Sequence, residues 1–332
     1  MQEEVKSGNL AINGMGRIGR TLVRLLAQNK ELGPLIAVND IMPKENLVYL
    51  LKYDSIRGPL TVDITTTANG FSIGGHEIHY YQQSDIRNIP WHKHAIETVV
   101  EATGLFTQST DASLHLANGP GRVLLSTYSK DIPSTIRGVN HQSIQPDTKI
   151  ISPGDCTTNC VAPIIHLLLQ QFGIRSLHIN VIQGYTTRQE LLDGPYKGLR
   201  RGRAAAHSII PFEVNITPVL ETIFPPIKGK TESMSTRVPV ACGALADISV
   251  VLEKESDAAS IHAIFEKASS GSLKNITDIT FDPIVSADII NNPHSGVIDG
   301  SLTKVINRQH LKLMVWFDNE WGFVNRLREF LR

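Results

Sequence analysis

Short apolar runs alternate with helical patterns through the first 150 residues or so. The runs at 10–12 and 35–38 predict buried strands, and apolar residues between them recur at the spacing of a helix. Two further runs, at 98–104 and 122–127, flank a helix-like segment at 111–119. Because strand and helix patterns alternate, we predict a doubly wound parallel α/β sheet in this half of the chain.

The second half of the chain has longer strand-like segments with partial period-two alternation. They lie at 177–183, 235–240, 244–253 and 311–318. This pattern predicts an α+β arrangement with a mainly antiparallel sheet that has one covered face. Residues 324–332 read as a closing helix, and the change in pattern falls near residue 155.

The chain carries 32 basic and 32 acidic residues, so its formal net charge is zero. A neutral chain has no long-range field for nucleic acid or an anionic membrane, and any charged ligand must be held locally. No apolar stretch approaches the roughly 20 residues of a membrane helix, and the polar first residues are unlike a secretory signal. Three cysteines, an odd number, favour a reducing cytoplasmic compartment.

A glycine-rich turn follows the first predicted strand. Gly14, Gly16 and Gly19 have the G-x-G-x-x-G spacing and open a helix. The first glycine permits a tight turn, the second lets backbone approach a pyrophosphate, and the third lets helix and strand pack closely. Asp40 ends the second strand, where a carboxylate would accept the ribose hydroxyls and repel a 2′-phosphate. The pattern favours NAD over NADP, with a purely structural glycine turn as the alternative.

Two cysteines, Cys156 and Cys160, lie between an apparent strand at 148–152 and a helix-like segment. A cysteine at a helix start faces backbone N–H groups, which lower the pKa of its thiol and can hold an oxyanion. Cys160 lies one turn further along, and we expect it to pack in the interior. Two buried, unreactive cysteines are the alternative when this motif is taken alone.

These motifs belong to a longer series of segments. In chain order the segments are INGMGRIGR, VND, LKYDSIRG, EATGLFT, GVNH, CTTNCVAPI, DGPYK, RRGRAAAHSIIP, RVPV, VVLEK and DNEWG. Their order and spacing resemble the glyceraldehyde-3-phosphate dehydrogenase family over nearly the whole chain. The related erythrose-4-phosphate dehydrogenases share most of them.

The resemblance implies a Rossmann-type NAD-binding domain over 1–155, completed by a C-terminal helix at 320–332, and a catalytic domain over 156–319. It implies a cytoplasmic, glycolytic homotetramer that acts on a small phosphorylated aldehyde and uses no metal, nucleic acid or membrane. In the family's chemistry a cysteine thiolate attacks the aldehyde, and hydride passes from the thiohemiacetal to NAD. Phosphate then resolves the thioester, or water in the erythrose-phosphate branch.

The resemblance also assigns roles to individual positions. Cys156 matches the nucleophile, Asn319 the asparagine that orients the nicotinamide amide, and Arg237 the arginine that binds substrate phosphate. The positions implied for the cofactor are Gly14, Gly16, Arg17, Ile18, Gly19, Asp40 and Asn319, and those for the substrate anion are Thr157, Thr186, Arg188 and Arg237.

The general-base position departs from the family pattern. Counting back without a gap from the DGP segment at 193–195 places Gln183 where the family has its base histidine. Glutamine cannot exchange a proton near pH 7, and losing a general acid–base group costs roughly 10²- to 10⁴-fold in rate. His178 lies five residues earlier on the same predicted strand, so we expect it on the opposite face. The sequence therefore predicts that the base is missing.

Three further departures concern charge and phosphate binding. Asp155 precedes the nucleophile, where it would either oppose a thiolate or cap the helix. Val214 and Asn215 replace the threonine–glycine pair that binds inorganic phosphate. Arg188 replaces a second phosphate-binding threonine, and Phe323 replaces a tyrosine near the nicotinamide. The NAD motif is therefore better preserved than the catalytic chemistry.

Three functional hypotheses are open at this point. The first is an NAD-dependent dehydrogenase for a phosphorylated aldehyde, slow or altered because Gln183 replaces the base. The second is an erythrose-4-phosphate-type enzyme that uses water, and the third is an inactive NAD-binding regulatory or interaction protein. The basic run at 200–203 is assigned by the resemblance to a subunit interface in preference to an RNA site.

Overall fold

The computed structural model describes residues 8–213 and 216–331, and the chain divides into two units. The first unit takes the described chain up to Thr135, then Gln142–Asp155 and the segment from Val324 onward. It is built on an eight-stranded sheet.

Strands and helices alternate in the first unit. Its strands are β1 (Leu10–Asn13), β2 (Leu35–Asn39), β3 (Ile64–Thr66), β4 (Gly70–Ile73), β5 (His76–Tyr81), β6 (Thr98–Glu101), β7 (Arg122–Leu125) and β8 (Ile150–Ile151). Its helices are α1 (Arg17–Gln28), α2 (Lys44–Lys52) and α3 (Ser109–Ala117). The strand order is β3-β4-β5-β2-β1-β6-β7-β8, and every pair from β5 to β8 is parallel. This confirms the predicted doubly wound α/β sheet.

The edge formed by β3, β4 and β5 is antiparallel, and the hydrophobic pattern did not predict it. β3 has only three residues, and Thr65 and Thr66 are exposed. An apolar signal this short cannot be distinguished from a loop. The central strand β1, by contrast, is buried at every position, which explains why its apolar run was recognisable.

The second unit takes Ile136–His141 and Cys156–Phe323 and has its own eight-stranded sheet. Its strands are β9 (Ile174–Gly184), β10 (Ile210–Glu213), β11 (Thr231–Val238), β12 (Ala244–Leu252), β13 (Thr277–Thr280), β14 (Gly296–Asp299), β15 (Lys304–Ile306) and β16 (His310–Phe317). Its helices are α4 (Cys156–Phe172), α5 (Ile216–Ile223) and α6 (Ala258–Ser270). The predicted closing helix is α7 (Trp321–Glu329), which the division at Val324 splits between the units.

The second sheet has the order β10-β11-β9-β12-β16-β14-β13, with β15 paired to β16. Most pairs are antiparallel, as predicted, but β11 with β9 and β13 with β14 are parallel. Helix α4 is buried along most of its length and belongs to the core that covers this sheet. No helix in the described segments is long and apolar enough to span a membrane.

One row of side chains crosses four strands of the second sheet. Arg237 in β11 pairs with Gln183 in β9, and Gln183 pairs with Ala244 in β12. Ala244 in turn pairs with Phe317 in β16. Paired residues project to the same face of a sheet, and Ala244 and Phe317 are buried in the core that contains α4. Gln183 and Arg237 therefore lie on the face of the sheet that α4 covers.

Polar side chains meet at the carboxyl ends of β1, β2 and β6 in the first unit. Asn13 Nδ2 donates to Glu101 Oε2 at 2.6 Å, and Asn39 Nδ2 donates to Asn13 Oδ1 at 2.8 Å. Glu101 also accepts the backbone N–H and the hydroxyl of Thr103, at 2.8 and 2.5 Å. Because buried polar groups must be satisfied, this network joins the three strand ends in one arrangement.

His115, fully buried in α3, extends this network to Trp91. The Trp91 indole Nε1–H donates to His115 Nδ1 at 3.1 Å, and His115 Nε2 lies 3.0 Å from Glu101 Oε2. An indole can only donate, so Nδ1 carries no proton and the neutral ring donates from Nε2 to Glu101. Nothing in the hydrophobic pattern indicates this network, because its members are far apart along the chain.

The variant His115→Leu is expected to lower the free energy of unfolding of the first unit by about 2–4 kcal/mol. Leucine fills the site but removes one donor to the buried Glu101 and leaves the Trp91 N–H without an acceptor. Urea unfolding followed by tryptophan fluorescence measures the change. The control is His178→Leu, at an exposed position of β9, which should shift stability by less than about 0.5 kcal/mol. Equal effects of the two variants would contradict this account.

Candidate active site

The glycine-rich turn after β1 has the geometry that its spacing predicts. Gly14 has φ +97°, and a Cβ there would lie 2.5 Å from the backbone nitrogen of Thr103. A Cβ on Gly19 would lie 2.1 Å from the carbonyl oxygen of Gly14, so helix and turn are in direct contact. Gly16 is exposed, and a Cβ built on it would meet nothing within 4 Å. The turn is therefore constrained at its first and third glycines and open at the second.

Helix α1 begins directly after Gly16 and has no side-chain cap at its N-terminus. Arg17 Nη1 donates to Asp54 Oδ2 at 2.6 Å, so its guanidinium lies against the segment after α2. Burial opposes the charge of Asp54, but the N–H groups of Arg57 and Ile56 and the Arg17 guanidinium hold the pKa of that carboxyl below its usual value. Ile18 is half-buried in the first turn of the helix. Arg17 thus fixes the helix start against Asp54.

Asp40 lies beside the glycine-rich turn. Its Oδ2 accepts the backbone N–H of Met15 at 2.5 Å, and its Oδ1 accepts that of Met42 at 3.0 Å. The Tyr80 hydroxyl donates to the Met42 carbonyl oxygen and lies 3.1 Å from that of Asp40. Burial, with help from the charges of Asp40 and Glu45, raises the pKa of Tyr80 to about 12, so Tyr80 stays a neutral donor. These contacts fix the carboxylate next to the turn.

This arrangement fits a dinucleotide. An open backbone position at a helix N-terminus suits a pyrophosphate, and a fixed carboxylate about 20 residues on suits the ribose hydroxyls. Ile41 and Leu105, which follow the ends of β2 and β6 on either side of β1, are 71% and 74% exposed. Large exposed apolar side chains at this edge suit a planar base, and they were not among the predicted site residues. In the sequence, the position of Ile41 directly after Asp40 was the only feature that could have indicated this role.

The second group of predicted residues surrounds the start of α4. Cys156 is the first residue of that helix and is half-buried, while Asp155 directly precedes it and is also partly open. Thr157 is buried in the first turn. Cys160 is fully buried, and burial followed by the nearby Cys156 raises the pKa of its thiol well above the usual value. Of these two cysteines, Cys156 is the one suited to react, and Cys160 packs in the interior as expected.

Gln183 is buried and held by hydrogen bonds along β9 and β11. Its Nε2 donates to Ser235 Oγ at 2.9 Å, and Ser235 Oγ donates to the Val181 carbonyl oxygen at 2.9 Å. Since the single hydroxyl proton of Ser235 goes to Val181, the hydroxyl oxygen must accept, which fixes the orientation of the Gln183 amide. His178 is exposed on β9, whereas Gln183 is buried, as the odd separation predicted.

Arg237 lies beside Gln183 in the same row and within electrostatic range of Cys156. Its Nη1 donates to the Gly184 carbonyl oxygen at 2.5 Å, while its buried Nε has no hydrogen-bond partner in the described chain. Burial lowers the pKa of Arg237 to about 10, although Cys156 favours the charged form; Arg201 disfavours it. The guanidinium is therefore cationic at neutral pH, and the charges of Cys156 and Arg237 favour each other.

Arg201 joins this group, although the sequence had assigned its segment to a subunit interface. Its guanidinium carbon lies 4.2 Å from the centroid of the Phe212 ring, and that of Arg237 lies 5.5 Å from the same centroid. Neither arginine has a carboxylate within ion-pair distance in the part of the chain that the structure describes. In the sequence, Arg201 is distinguished only by belonging to the basic run at 200–203. Its position beside Arg237 follows from the fold alone.

Thr186 and Arg188 lie in the turn after β9. The Thr186 hydroxyl donates to Gln189 Oε1 at 3.0 Å and accepts the Arg188 N–H at 3.3 Å. The Arg188 side chain is exposed. The turn therefore supplies a fixed hydroxyl and an accessible cation. Val214 and Asn215, predicted to replace the inorganic-phosphate pair, lie outside the described residues.

Asn319 follows β16 and is partly open. The preceding Asp318 is buried, and its Oδ1 accepts the N–H groups of Glu320 and Trp321, both at 2.8 Å, at the start of α7. Cys242 Sγ lies 3.6 Å from the Oδ1 atoms of both Asp318 and Asn319. The Asn319 carboxamide is thereby held at its oxygen end. Phe323, the predicted replacement for a tyrosine, is buried in α7.

Comparison with known proteins extends these observations to the whole chain. The model of the glyceraldehyde 3-phosphate dehydrogenase NAD-binding domain matches residues 8–109, and that of the C-terminal domain matches residues 155–319. Glyceraldehyde-3-phosphate dehydrogenase 2 of Streptomyces avermitilis is 39% identical over 320 residues, 96% of either chain. The Mycobacterium leprae enzyme is 39% identical over 327 residues, again 96% of either chain. Glyceraldehyde-3-phosphate dehydrogenase 2 of Staphylococcus aureus is 36% identical over 324 residues, 97% of this chain and 94% of its own.

A dinucleotide turn on a parallel sheet, with a helix-start cysteine and a partly buried arginine on a second sheet, defines an NAD-dependent dehydrogenase. Its cofactor is NAD. The chain belongs to the glyceraldehyde-3-phosphate dehydrogenase family, which confirms the resemblance seen in its sequence segments.

The variant Gly19→Ala is expected to weaken NADH binding at least about tenfold, which corresponds to roughly 1.4 kcal/mol. The added Cβ would lie 2.1 Å from the Gly14 carbonyl oxygen, so the turn has to shift. Titration followed by NADH fluorescence measures the affinity. The matched control is Gly33→Ala, where a Cβ meets nothing within 4 Å, and it should bind like the parent. Unchanged affinity in Gly19→Ala would show that the turn does not hold the cofactor.

Proposed function

We propose that the protein oxidises a small phosphorylated aldehyde with NAD, through a covalent adduct on Cys156. The observation that carries the proposal is a half-exposed thiol at the start of α4, within electrostatic range of the cationic Arg237. In this proposal residues 156–319 are the catalytic domain, and residues 1–155 with the helix at 320–332 are the NAD-binding domain. Turnover is slow or altered because Gln183 occupies the position of the general base.

Binding of the substrate phosphate is the first role of the chain's own residues. Arg237 is partly buried and supplies guanidinium N–H groups, whose charge-assisted hydrogen bonds to an anion are stronger away from water. Arg188 and Arg201 add cationic charge nearby, and Thr186 adds a hydroxyl. The clustering of these groups supports a dianionic substrate, because a neutral chain can attract one only locally.

The covalent step uses the sulfur of Cys156. The thiolate adds to the aldehyde carbon, a C–S bond forms, and the carbonyl electron pair moves to oxygen, which takes a proton. Backbone N–H groups at the start of α4 stabilise the developing negative charge on that oxygen. Bound NAD would supply the acceptor for the hydride of the adduct carbon; the hydroxyl proton would leave to water, the carbon–oxygen double bond would re-form, and a thioester would remain on Cys156. The Asn319 carboxamide would hold the nicotinamide amide.

Proton transfer is the weak step of this mechanism. The Gln183 amide is neutral, and Ser235 fixes its orientation. It can accept or donate a hydrogen bond, but it cannot remove the thiol proton, which therefore has to leave to water. The absence of a base at this position is expected to cost roughly 10²- to 10⁴-fold in rate.

Resolution of the thioester by water is the second candidate, as in the erythrose-4-phosphate branch. Val214 carries no hydroxyl for inorganic phosphate, and the exposed Glu213 just before it adds negative charge. Asp155 adds another negative charge directly before the nucleophile. These charges disfavour a second phosphate dianion next to the thioester, whereas they do not repel water.

A homotetramer in a reducing, cytoplasmic compartment completes the proposal. The segment 185–209 exposes large apolar side chains that assembly would cover; they are Leu191 (74%), Leu192 (78%), Leu199 (87%) and Ile209 (72%). Clusters of exposed apolar residues of this size mark contact surfaces between proteins. Cys156, Cys160 and Cys242 are not joined in disulfides, which supports a reducing compartment.

The purified protein is expected to reduce NAD slowly with glyceraldehyde 3-phosphate or erythrose 4-phosphate, and Gln183→His is expected to raise kcat by about 10²-fold or more. A histidine in this place can donate one ring N–H to Ser235 and accept the thiol proton at its other nitrogen. Initial rates of NADH formation between pH 7 and 10 measure the activity of the parent protein and of Gln183→His. Activity that does not depend on added phosphate would support the water route, and strict dependence would contradict it.

The matched control for Gln183→His is His178→Gln, on the exposed face of the same strand, which should leave the rate unchanged. Absence of NAD reduction with every short sugar-phosphate aldehyde, in the parent and in Gln183→His, would overturn the proposed activity. NAD binding without turnover would then favour a regulatory or interaction role.

Sedimentation equilibrium is expected to give the mass of four chains, and Leu199→Asp is expected to lower it. A carboxylate at a side chain that is 87% exposed in one chain would be desolvated in an assembly, which opposes association. The control is Leu302→Asp, at a 45% exposed position outside this segment, which should keep the parent mass. A parent protein that sediments as a single chain would contradict the tetramer.

A further inference from the structure

Two arginine side chains in the second unit lie over the same aromatic ring. Phe212 is in β10 and pairs with Ser235 of β11, in the same sheet as Gln183 and Arg237. The guanidinium carbons of Arg201 and Arg237 lie 4.2 and 5.5 Å from the centroid of its ring. Both distances are within the roughly 6 Å at which a cation and a ring face attract each other.

Two cations beside one ring repel each other. The charge of Arg201 contributes to the lowered pKa of Arg237, after burial. In the described part of the chain no carboxylate forms an ion pair with either arginine. Both guanidinium groups are attracted by the negative face of the Phe212 ring.

A guanidinium that lies over a ring uses its flat face and leaves its N–H edges free. Those edges are the part that binds the oxygens of a phosphate in pairs. The buried Nε of Arg237, which has no hydrogen-bond partner among the described residues, is a donor still available for such a ligand. The ring therefore holds the two cations in place without consuming the groups that would bind an anion.

We propose that Phe212 is a positioning residue that holds Arg201 and Arg237 as a paired site for a phosphate dianion. The inference rests on the proposed function, since it concerns the same anion-binding site next to Cys156. The bound group is the phosphate of the substrate or inorganic phosphate, because both present the same oxygens. Phe212 affects the affinity for the anion and takes no part in bond making.

Isothermal titration of the NAD-loaded full-length protein with glycerol 3-phosphate, an unreactive phosphate monoester, and separately with inorganic phosphate tests the proposal. Phe212→Met, which keeps an apolar side chain but removes the ring face, should weaken at least one probe about tenfold. Phe212→Tyr, which keeps the ring face, should stay within about twofold of the parent. The probe that is weakened identifies the source of the phosphate.

A double-variant cycle separates positioning from general destabilisation. Arg201→Ala should weaken the same probe, and combining it with Phe212→Met should add little, because the ring and the arginine act together. Phe281→Met is the control: its ring contacts His262, and both probes should bind as in the parent. Thermal unfolding of each variant shows whether it is folded. If Phe212→Met is not folded, the phosphate affinities of Phe212→Tyr and Arg201→Ala still test the proposal.

Equal binding by the parent and Phe212→Met, equal losses in the Met and Tyr variants, or fully additive losses in the cycle would overturn the proposal. A parent that binds neither probe would overturn it as well. These outcomes are distinct from failure of the proposed activity, which is read from NADH formation and the Gln183→His variant. Phosphate binding that depends on the ring would stand even in a protein with no turnover.

Discussion

The side-chain row that crosses the second sheet under α4 is the constraint on which the arrangement of the second unit depends. The parallel pairing of β11 with β9 places Arg237 beside Gln183, and the antiparallel pairing of β9 with β12 continues the row to Ala244. A slip of one residue in either register would turn these side chains to the opposite face. The buried apolar members of the row pack in the core that contains α4, so this packing holds the sheet that carries Gln183 and Arg237 in place.

The two units differ in the part of the chain that forms their main features: backbone in the first unit and side chains in the second. The glycine-rich turn of the first unit combines open backbone at Gly16 with a close contact between Gly14 and Gly19, and few residue types satisfy both. In the second unit, side chains on a sheet form the corresponding group, and the Gln183 amide donates to Ser235 there. Glutamine therefore fits this buried position with a hydrogen-bond partner for its amide N–H. Local cations at Arg237 and Arg201 then supply the charge that a neutral chain lacks overall.

The parallel sheet, the helix-start cysteine and the exposure of His178 could all be predicted, because each follows from a short periodic pattern. The antiparallel edge at β3 was missed, since three residues with two exposed threonines carry no clear period. The network of Glu101, His115 and Trp91 was also missed. Its members are 10 to 24 residues apart along the chain, and polar residues in a buried position have no signature of their own.

By itself the sequence determined the family, the glycine-rich turn and the helix start at Cys156, because local spacing specifies tight turns and helix starts. It also places Gln183 where the resemblance to the family predicts the base. Only the tertiary structure decided what surrounds Gln183 and Arg237. Arg201 and Phe212 come to Arg237 through strand pairing and loop packing, and Ser235 fixes the Gln183 amide from a neighbouring strand. Contacts between residues distant along the chain depend on register and packing, which no local pattern of residues records.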